Sequence, residues 1–415
     1  MTTAEASLGS VCAEVRPAGP DDAVDGVVPG LVARPGSTEE VAEVLRASAA
    51  LGLTVVPRGR GTKLTWGLPP RSADVLLDLA GMDRVLDHAA GDLIVQTQAG
   101  ASLDDVQGVV GQARQRVMVD PVVPGGSVGG TLATNTSGPR RMVGGTMRDL
   151  LIGLTVVRAD GVVAKAGGRV VKNVAGYDLS KLMIGSFGTL AVVTEALFRL
   201  HPTPEAQRWV TARAADQAHA QRLVQEVVHS QVVPAAVEVE WASGGAGEVT
   251  VLLEGRESGV EGRAAATSTL LGDDATVTSD APAGWSAYPW DPAAAGDRRA
   301  TALKLTFVLS GLADVLGAVR DEQVPVSLRG SAGAGVVYAA VPAEVPGDEV
   351  AGVVERLRRV CTAHGGSTVV VDAPAAVKQA VDVWGPVPAL NLMLRVKDQF
   401  DPDHRLAPGR FVGGI

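Results

Sequence analysis

Apolar and polar positions along this chain follow two periods, and the switches between them divide it into halves. Over residues 31–57 the pattern predicts strand, helix and strand. Ser37 stands three residues before Glu40 in capping-box spacing, Val41, Val44, Leu45 and Leu51 follow a helical stripe, and 53–56 is a short apolar strand. Further strands are predicted at 75–79 and around 93–98, with a helix from Leu103. A strand at 150–158, the turn Asp160-Gly161 and a return strand at 162–165 read as a hairpin. Residues 191–200 are the last strand of this half, and His201-Pro202-Thr203-Pro204 marks its end.

The second half repeats itself. Residues 207–278 read as strand (207–213), helix (215–229), strand (236–241), strand (248–254), helix (260–271) and strand (275–279). Residues 303–371 give the same order, at 303–309, 311–320, 324–329, 335–341, 350–364 and 367–371. Each unit is βαββαβ, which sets helices on one face of an antiparallel sheet, so the fold class is α+β. Between the units, 271–300 is rich in Ala, Asp, Gly and Pro and reads as a long loop.

Composition narrows the function. A chain of 415 residues with 46% hydrophobic and 20% charged residues can bury the cores of two or three domains. A formal net charge of -9 argues against nucleic acid as a partner. Two cysteines, Cys12 and Cys361, are too few for a disulfide framework or for the four thiolates of an iron–sulfur cluster. The sequence shows no secretory leader and no apolar run long enough for a membrane span, so the expected location is the cytoplasm.

Two glycine-rich loops carry the candidate chemistry. The first, Arg58-Gly59-Arg60-Gly61-Thr62-Lys63-Leu64, opens directly from the strand that ends at Pro57. It is neither a Walker loop nor a complete GxGxxG fingerprint. The second spans 121–138 and contains Pro124-Gly125-Gly126-Ser127-Val128-Gly129-Gly130 and then Thr134-Asn135-Thr136-Ser137-Gly138. Glycines let backbone N–H groups approach a phosphate, and the small hydroxyl and amide side chains offer hydrogen bonds to a diphosphate and a polyol. No acidic residue stands in 121–138, and Arg140, Arg141 and Arg148 follow it.

With Gly185-Ser186-Phe187-Gly188-Thr189-Leu190-Ala191-Val192-Val193, these loops resemble the FAD-binding domain of the vanillyl-alcohol oxidase and p-cresol methylhydroxylase superfamily. The resemblance covers roughly residues 25–203. Residues 171–179 and Phe187 are most similar to the E-subunit branch of bacterial glycolate oxidases; many relatives carry Glu at the Phe187 position. The resemblance implies a tail at 1–24, a two-subdomain FAD-binding domain at 25–203, a cap at 204–390, and a segment at 391–415 returning to the first domain. It implies that 58–64 and 121–127 contact the diphosphate, and that 134–138 with Phe187, Gly188, Thr189, Leu190 and Val193 line the adenosine and flavin-proximal walls. Covalent members tether the flavin through His in the first loop or Cys in the second; Thr62 and the cysteine-free second loop imply non-covalent FAD. The tail motifs at 396–402 and Pro408-Gly409-Arg410 also match, with Ala407 where the family has Asn.

The implied function is that of a FAD subunit of a glycolate oxidase-type complex. It would oxidise glycolate or D-lactate, as a small 2-hydroxy acid, beside a larger FAD-linked subunit and an iron–sulfur subunit. Any inner-membrane association would run through those partners. The cap supplies no obvious catalyst. His88, His201, His219, His229, His364 and His404 form no paired ligand motif, so no metal is expected and no catalytic residue is assigned. Where hydroxyacid-oxidising relatives carry a Gly-Asp-Gly-Asn-His type motif, this chain has Arg329-Gly330-Ser331-Ala332-Gly333-Ala334-Gly335. Arg329, Tyr338 and Lys304 remain candidates, and Trp285, Tyr288 and Trp290 suit either an interface or packing onto the cap. Three alternatives stay open: a self-sufficient hydroxyacid dehydrogenase, a scaffold without its own catalysis, and an NADPH-using reductase of the enolpyruvyl-sugar type.

Overall fold

The structure, a computed structural model, describes residues 3–169 and 178–415. The motif at 171–179 lies outside the described residues except for Asp178 and Leu179. The chain separates into two units, one from Met1–Thr136, Thr146–Thr203 and Pro386–Ile415, the other from Ser137–Gly145 and Pro204–Gly385.

The first unit holds two main sheets. In one, the strands Leu31–Ala33, Val75–Asp78 and Val55–Arg58 run parallel, and Val15–Pro17 adds an antiparallel edge. The helix Thr38–Ala50 covers it, burying Val41, Val44 and Leu45 against Val55, Val75 and Leu77. Ser37 caps this helix by accepting from the Glu40 N–H, while the Glu40 carboxylate reaches back to Gly36 rather than to Ser37. The other sheet is antiparallel, in the order Val85–Ala89, Ile94–Gln98, Ala191–Arg199, Leu151–Arg158, Val163–Gly167.

Residues 3–24 are not a tail. The helix Thr3–Gly9 sinks Leu8 into the core beneath Thr38–Ala50, and Cys12 is buried beside it. The second glycine-rich stretch is also not all loop, because Val128–Thr134 is helical and capped by Ser127. Gly129 sits in that helix because a Cβ there would come within 2.9 Å of the Ala99 methyl carbon. At the C-terminus, the backbone of Arg405 and Ala407 pairs with Val55, extending the parallel sheet.

The second unit is an eight-stranded antiparallel sheet built from the two βαββαβ repeats. Its order is Thr276–Thr278, Ala206–Ala214, Gly247–Gly255, Ala236–Ala242, then Ser327–Ser331, Val336–Val341, Thr301–Thr306, Ser367–Asp372. The second strand of each repeat meets its counterpart at the centre, with Glu240 opposite Arg329. The four helices Gln217–Val228, Glu257–Leu271, Leu312–Arg320 and Gly347–Ala363 bury apolar stripes such as Leu223, Val224 and Val227. The long loop at 271–300 contains one strand, Thr276–Thr278, and folds its aromatic residues onto the sheet.

Candidate functional site

Three turns of the first unit meet around a cleft. The first glycine loop contributes Arg58, Gly59, Arg60, Gly61, Thr62, Lys63 and Leu64, and the capped helix contributes Ser127, Gly129, Gly130 and Thr134. The third turn contributes Phe187 and Gly188, followed by Val193 on its strand. Gly59 is a cradle that a side chain would fill, since a Cβ there would lie 2.1 Å from the Ser127 Oγ. Phe187 and Gly188 take left-handed backbone conformations, φ 56° and 74°, which turn the chain sharply at the cleft wall. The Phe187 ring stacks on Phe411 with centroids 5.6 Å apart.

Not every expected residue reaches this cleft. Pro124, Gly125 and Gly126 are not in its lining, and the Gly125 carbonyl accepts from Arg60 at 3.0 Å. Asn135 terminates the Val128–Thr134 helix in a left-handed conformation, and Thr136 Oγ1 lies 2.5 Å from Thr134 Oγ1 behind the lining. Ser137 and Gly138 belong to the second unit, their carbonyls accepting from Arg141. Thr189 and Leu190 are buried and support the turn from beneath. Conversely, Leu79, Ala99, Ala133, Ser186 and Arg410 line the cleft without having been expected there. Of these, Ser186 had a sequence signal in the motif at 185–193 and Arg410 in the Pro408-Gly409-Arg410 motif.

Among the described residues the lining carries no Asp, Glu, His or Cys. Its cations differ in availability. Arg58 is held between Asp22 at 3.2 Å and Asp78 at 2.9 Å, so its guanidinium braces the loop. Asp22 is also bound by Arg16, which holds its carboxyl well below the usual range, with Gly19 N–H and Arg58 adding to the effect. A depressed folded-state pKa contributes stability that is present above the unfolded value, about pH 4, and is lost as pH falls below it. Denaturant midpoints should therefore drop between about pH 5 and pH 3, and less steeply in Asp22→Asn. Lys63 is buried, with its Nζ between the two glycine loops. Cations, glycines and hydroxyls without a carboxylate suit the diphosphate of FAD, and the apolar Leu79, Phe187 and Val193 suit a flat ring system.

The second unit settles the remaining candidates differently. Arg329 is paired with Glu240 at 2.6 Å and donates to the Gly284 carbonyl, so it braces the sheet against the 271–300 loop. Tyr288 stacks on Trp290 at 4.3 Å and both meet Tyr338 edge-on, while Trp285 packs on Trp209; the aromatic group covers its own sheet. Arg141 donates to the Tyr338 hydroxyl at 3.0 Å. Burial would raise the Tyr338 phenol, but Arg141 and then Lys304 pull it below the ordinary tyrosine value. Lys304 stands opposite Tyr338 in the sheet. Among the histidines, His364 pairs with Asp314 and His404 with Asp398 rather than the adjacent Asp403. Among the described residues no three His, Cys, Asp or Glu side chains gather as a metal site.

The glycine cradle and the two sheets around it define a flavin-binding domain of the p-cresol methylhydroxylase type. Residues 29–167 match the FAD binding domain family. It is 32% identical over 216 residues to glycolate oxidase subunit GlcD of Bacillus subtilis, covering 51% of this chain and 45% of that protein. It is 39% identical over 180 residues to a D-2-hydroxyglutarate dehydrogenase of Xanthomonas citri, covering 42% and 38%. A D-lactate dehydrogenase of Archaeoglobus fulgidus is 34% identical over 172 residues, covering 41% and 39%. The matched stretch thus spans less than half the length of each of these relatives. An alkyldihydroxyacetonephosphate synthase structure shares the fold, with a TM-score of 0.65 at 17% identity, covering 92% of this chain and 76% of that one. No described helix is long and apolar enough to cross a membrane.

Proposed function

We propose that this chain is the FAD-carrying, E-type subunit of a glycolate oxidase-type complex. It holds FAD without a covalent bond and works beside a larger FAD-linked subunit and an iron–sulfur subunit. The substrate is a small 2-hydroxy acid, glycolate or D-lactate, and the complex is cytoplasmic, reaching the inner membrane only through its partners. The observation that carries this reading is the cleft lining, which among the described residues has cations and glycines but no Asp, Glu, His or Tyr to take a proton from a substrate. Bound FAD would supply two-electron acceptor chemistry. The chain's own share is to hold the diphosphate near Lys63 and the glycine turns, and to cover the ring system with Leu79, Phe187 and Val193. The absence of His and Cys from the lining among the described residues supports a dissociable flavin.

A second reading has its own observation. Arg141 beside an acidified Tyr338 has the chemistry to clamp a carboxylate and accept a proton, as a self-sufficient hydroxyacid dehydrogenase requires. Assays of glycolate and D-lactate with an artificial acceptor separate the two. The subunit reading expects a yellow chain that is inactive alone and required for activity once the partners are added. Full activity alone, lost tenfold or more in Arg141→Met and Tyr338→Phe, would replace it with the second reading.

A further inference from the structure

The cations lining the flavin cleft are not equivalent. Arg58 is neutralised by Asp22 and Asp78, Arg60 donates to Gly125 at the surface, and Arg410 is buried against the Trp66 carbonyl. Lys63 differs from all three. It is 8% exposed, and among the described residues it has no carboxylate partner. Its ammonium has one long hydrogen bond, 3.4 Å to Thr62 Oγ1, and lies 6.0 Å from the Trp66 ring centroid.

Its position explains what would complete it. A Cβ at Gly126 would lie 3.1 Å from Lys63 Nζ, and one at Gly130 would lie 3.9 Å from its Cε. The charge therefore sits at the seam of the two glycine loops, beside the cleft, where side chains have been removed from its surroundings. Residues 124–134 present no titratable group to it. Asp104, on the helix Leu103–Gly111, is exposed and accepts from the Gly125 N–H. Desolvation without a counter-charge pushes the Lys63 ammonium down to about 8. An anion placed beside it would restore the ordinary, protonated lysine.

We infer that Lys63 is a proton-coupled clamp for the diphosphate of FAD, its amine taking a proton from solvent as the diphosphate seats, so that alkaline pH weakens flavin binding. The inference rests on the FAD reading of this cleft and adds to it the group that must change charge. Above the free-state pKa the neutral amine becomes an ammonium on binding and solvent loses one proton; below it the ammonium is already present and no proton is exchanged, and in neither case does a bond to the flavin form. Binding that requires the protonated lysine keeps its affinity below the free-state pKa. Above it, affinity falls toward tenfold per pH unit until the bound-state value is reached.

The test is titration of the full-length apoprotein with FAD, followed by quenching of flavin fluorescence, from about pH 7 to about pH 9.5. Wild-type affinity should be flat up to about pH 8 and fall by roughly tenfold or more by about pH 9.5. Lys63→Met should bind about tenfold or more weakly at neutral pH and show no slope. Lys63→Arg should keep most of the affinity and also lose the slope, because a guanidinium stays charged. ADP should reproduce the wild-type slope and riboflavin should not, which locates the effect on the diphosphate. FAD binding with a flat wild-type profile, or a slope that persists in Lys63→Met, would overturn the clamp while leaving the flavin reading intact. Absence of FAD binding at every pH would overturn both.

Discussion

Replacing Asp401 with alanine is expected to cost the chain about 3–5 kcal/mol, a large part of an ordinary domain's stability. Asp401 and Lys397 are wholly buried side chains 2.6 Å apart, one turn from each other at the end of the helix Leu390–Phe400. The lysine also donates to the carbonyls of Thr189 at 2.7 Å and Leu406 at 3.1 Å, and Asp401 accepts from the Leu406 N–H. Burial lowers the Lys397 pKa even with its partner in place. Without the carboxylate, a buried ammonium would remain in surroundings that cannot solvate it. The effect reaches the cleft, because Thr189 belongs to the turn that presents Phe187 and Gly188. Urea unfolding should show the loss, and flavin affinity should fall with it. The double variant Lys397→Met/Asp401→Leu should recover much of the stability by removing both charges together, and failure to do so would mean the pair matters through shape rather than charge.

Gly59→Val should abolish measurable flavin binding, a loss of about a hundredfold or more, for a different reason. A side chain at Gly59 meets the Ser127 Oγ, and Ser127 is buried and caps the helix Val128–Thr134 through the Gly130 N–H at 3.1 Å. The bulk must either push the two loops apart or dislodge the cap. Overpacking costs about 1–3 kcal/mol and a lost cap about 1 kcal/mol. Those costs leave the unit folded but disturb the surface that faces the ligand. Gly59→Ala should show a smaller loss in the same direction. Binding by Gly59→Val within threefold of wild type, measured by FAD titration, would mean that the two loops do not jointly form the site.

The glycine loops were legible because close approach of backbone to a phosphate leaves a mark on residue type. Gly59, Ser127 and Gly130 had to be small or hydroxyl-bearing, and they meet in one cleft. The repeated cap was legible for a similar reason, since strands and helices packed face to face impose their periods on every segment. What stayed hidden depends on distant partners. The helix Val128–Thr134 begins with two glycines after Val128 and has poor intrinsic propensity; its close packing on Ala99 is a tertiary fact. Leu8 and Cys12 are too isolated in sequence to show a period, so an ordered N-terminal segment read as a tail. The distinction between Arg58 and Lys63, five positions apart in one motif, comes from Asp22 and Asp78, which reach the first and not the second. Likewise, Arg141 and Tyr338 are 197 positions apart, and no local pattern joins them.

The most direct test of the account is the visible spectrum and flavin content of the purified full-length chain after incubation with excess FAD and removal of what is unbound. The expected result is a yellow protein carrying about one FAD per chain, released intact when the protein is denatured. A colourless chain that takes up no FAD, or flavin that stays attached to the denatured polypeptide, would contradict it.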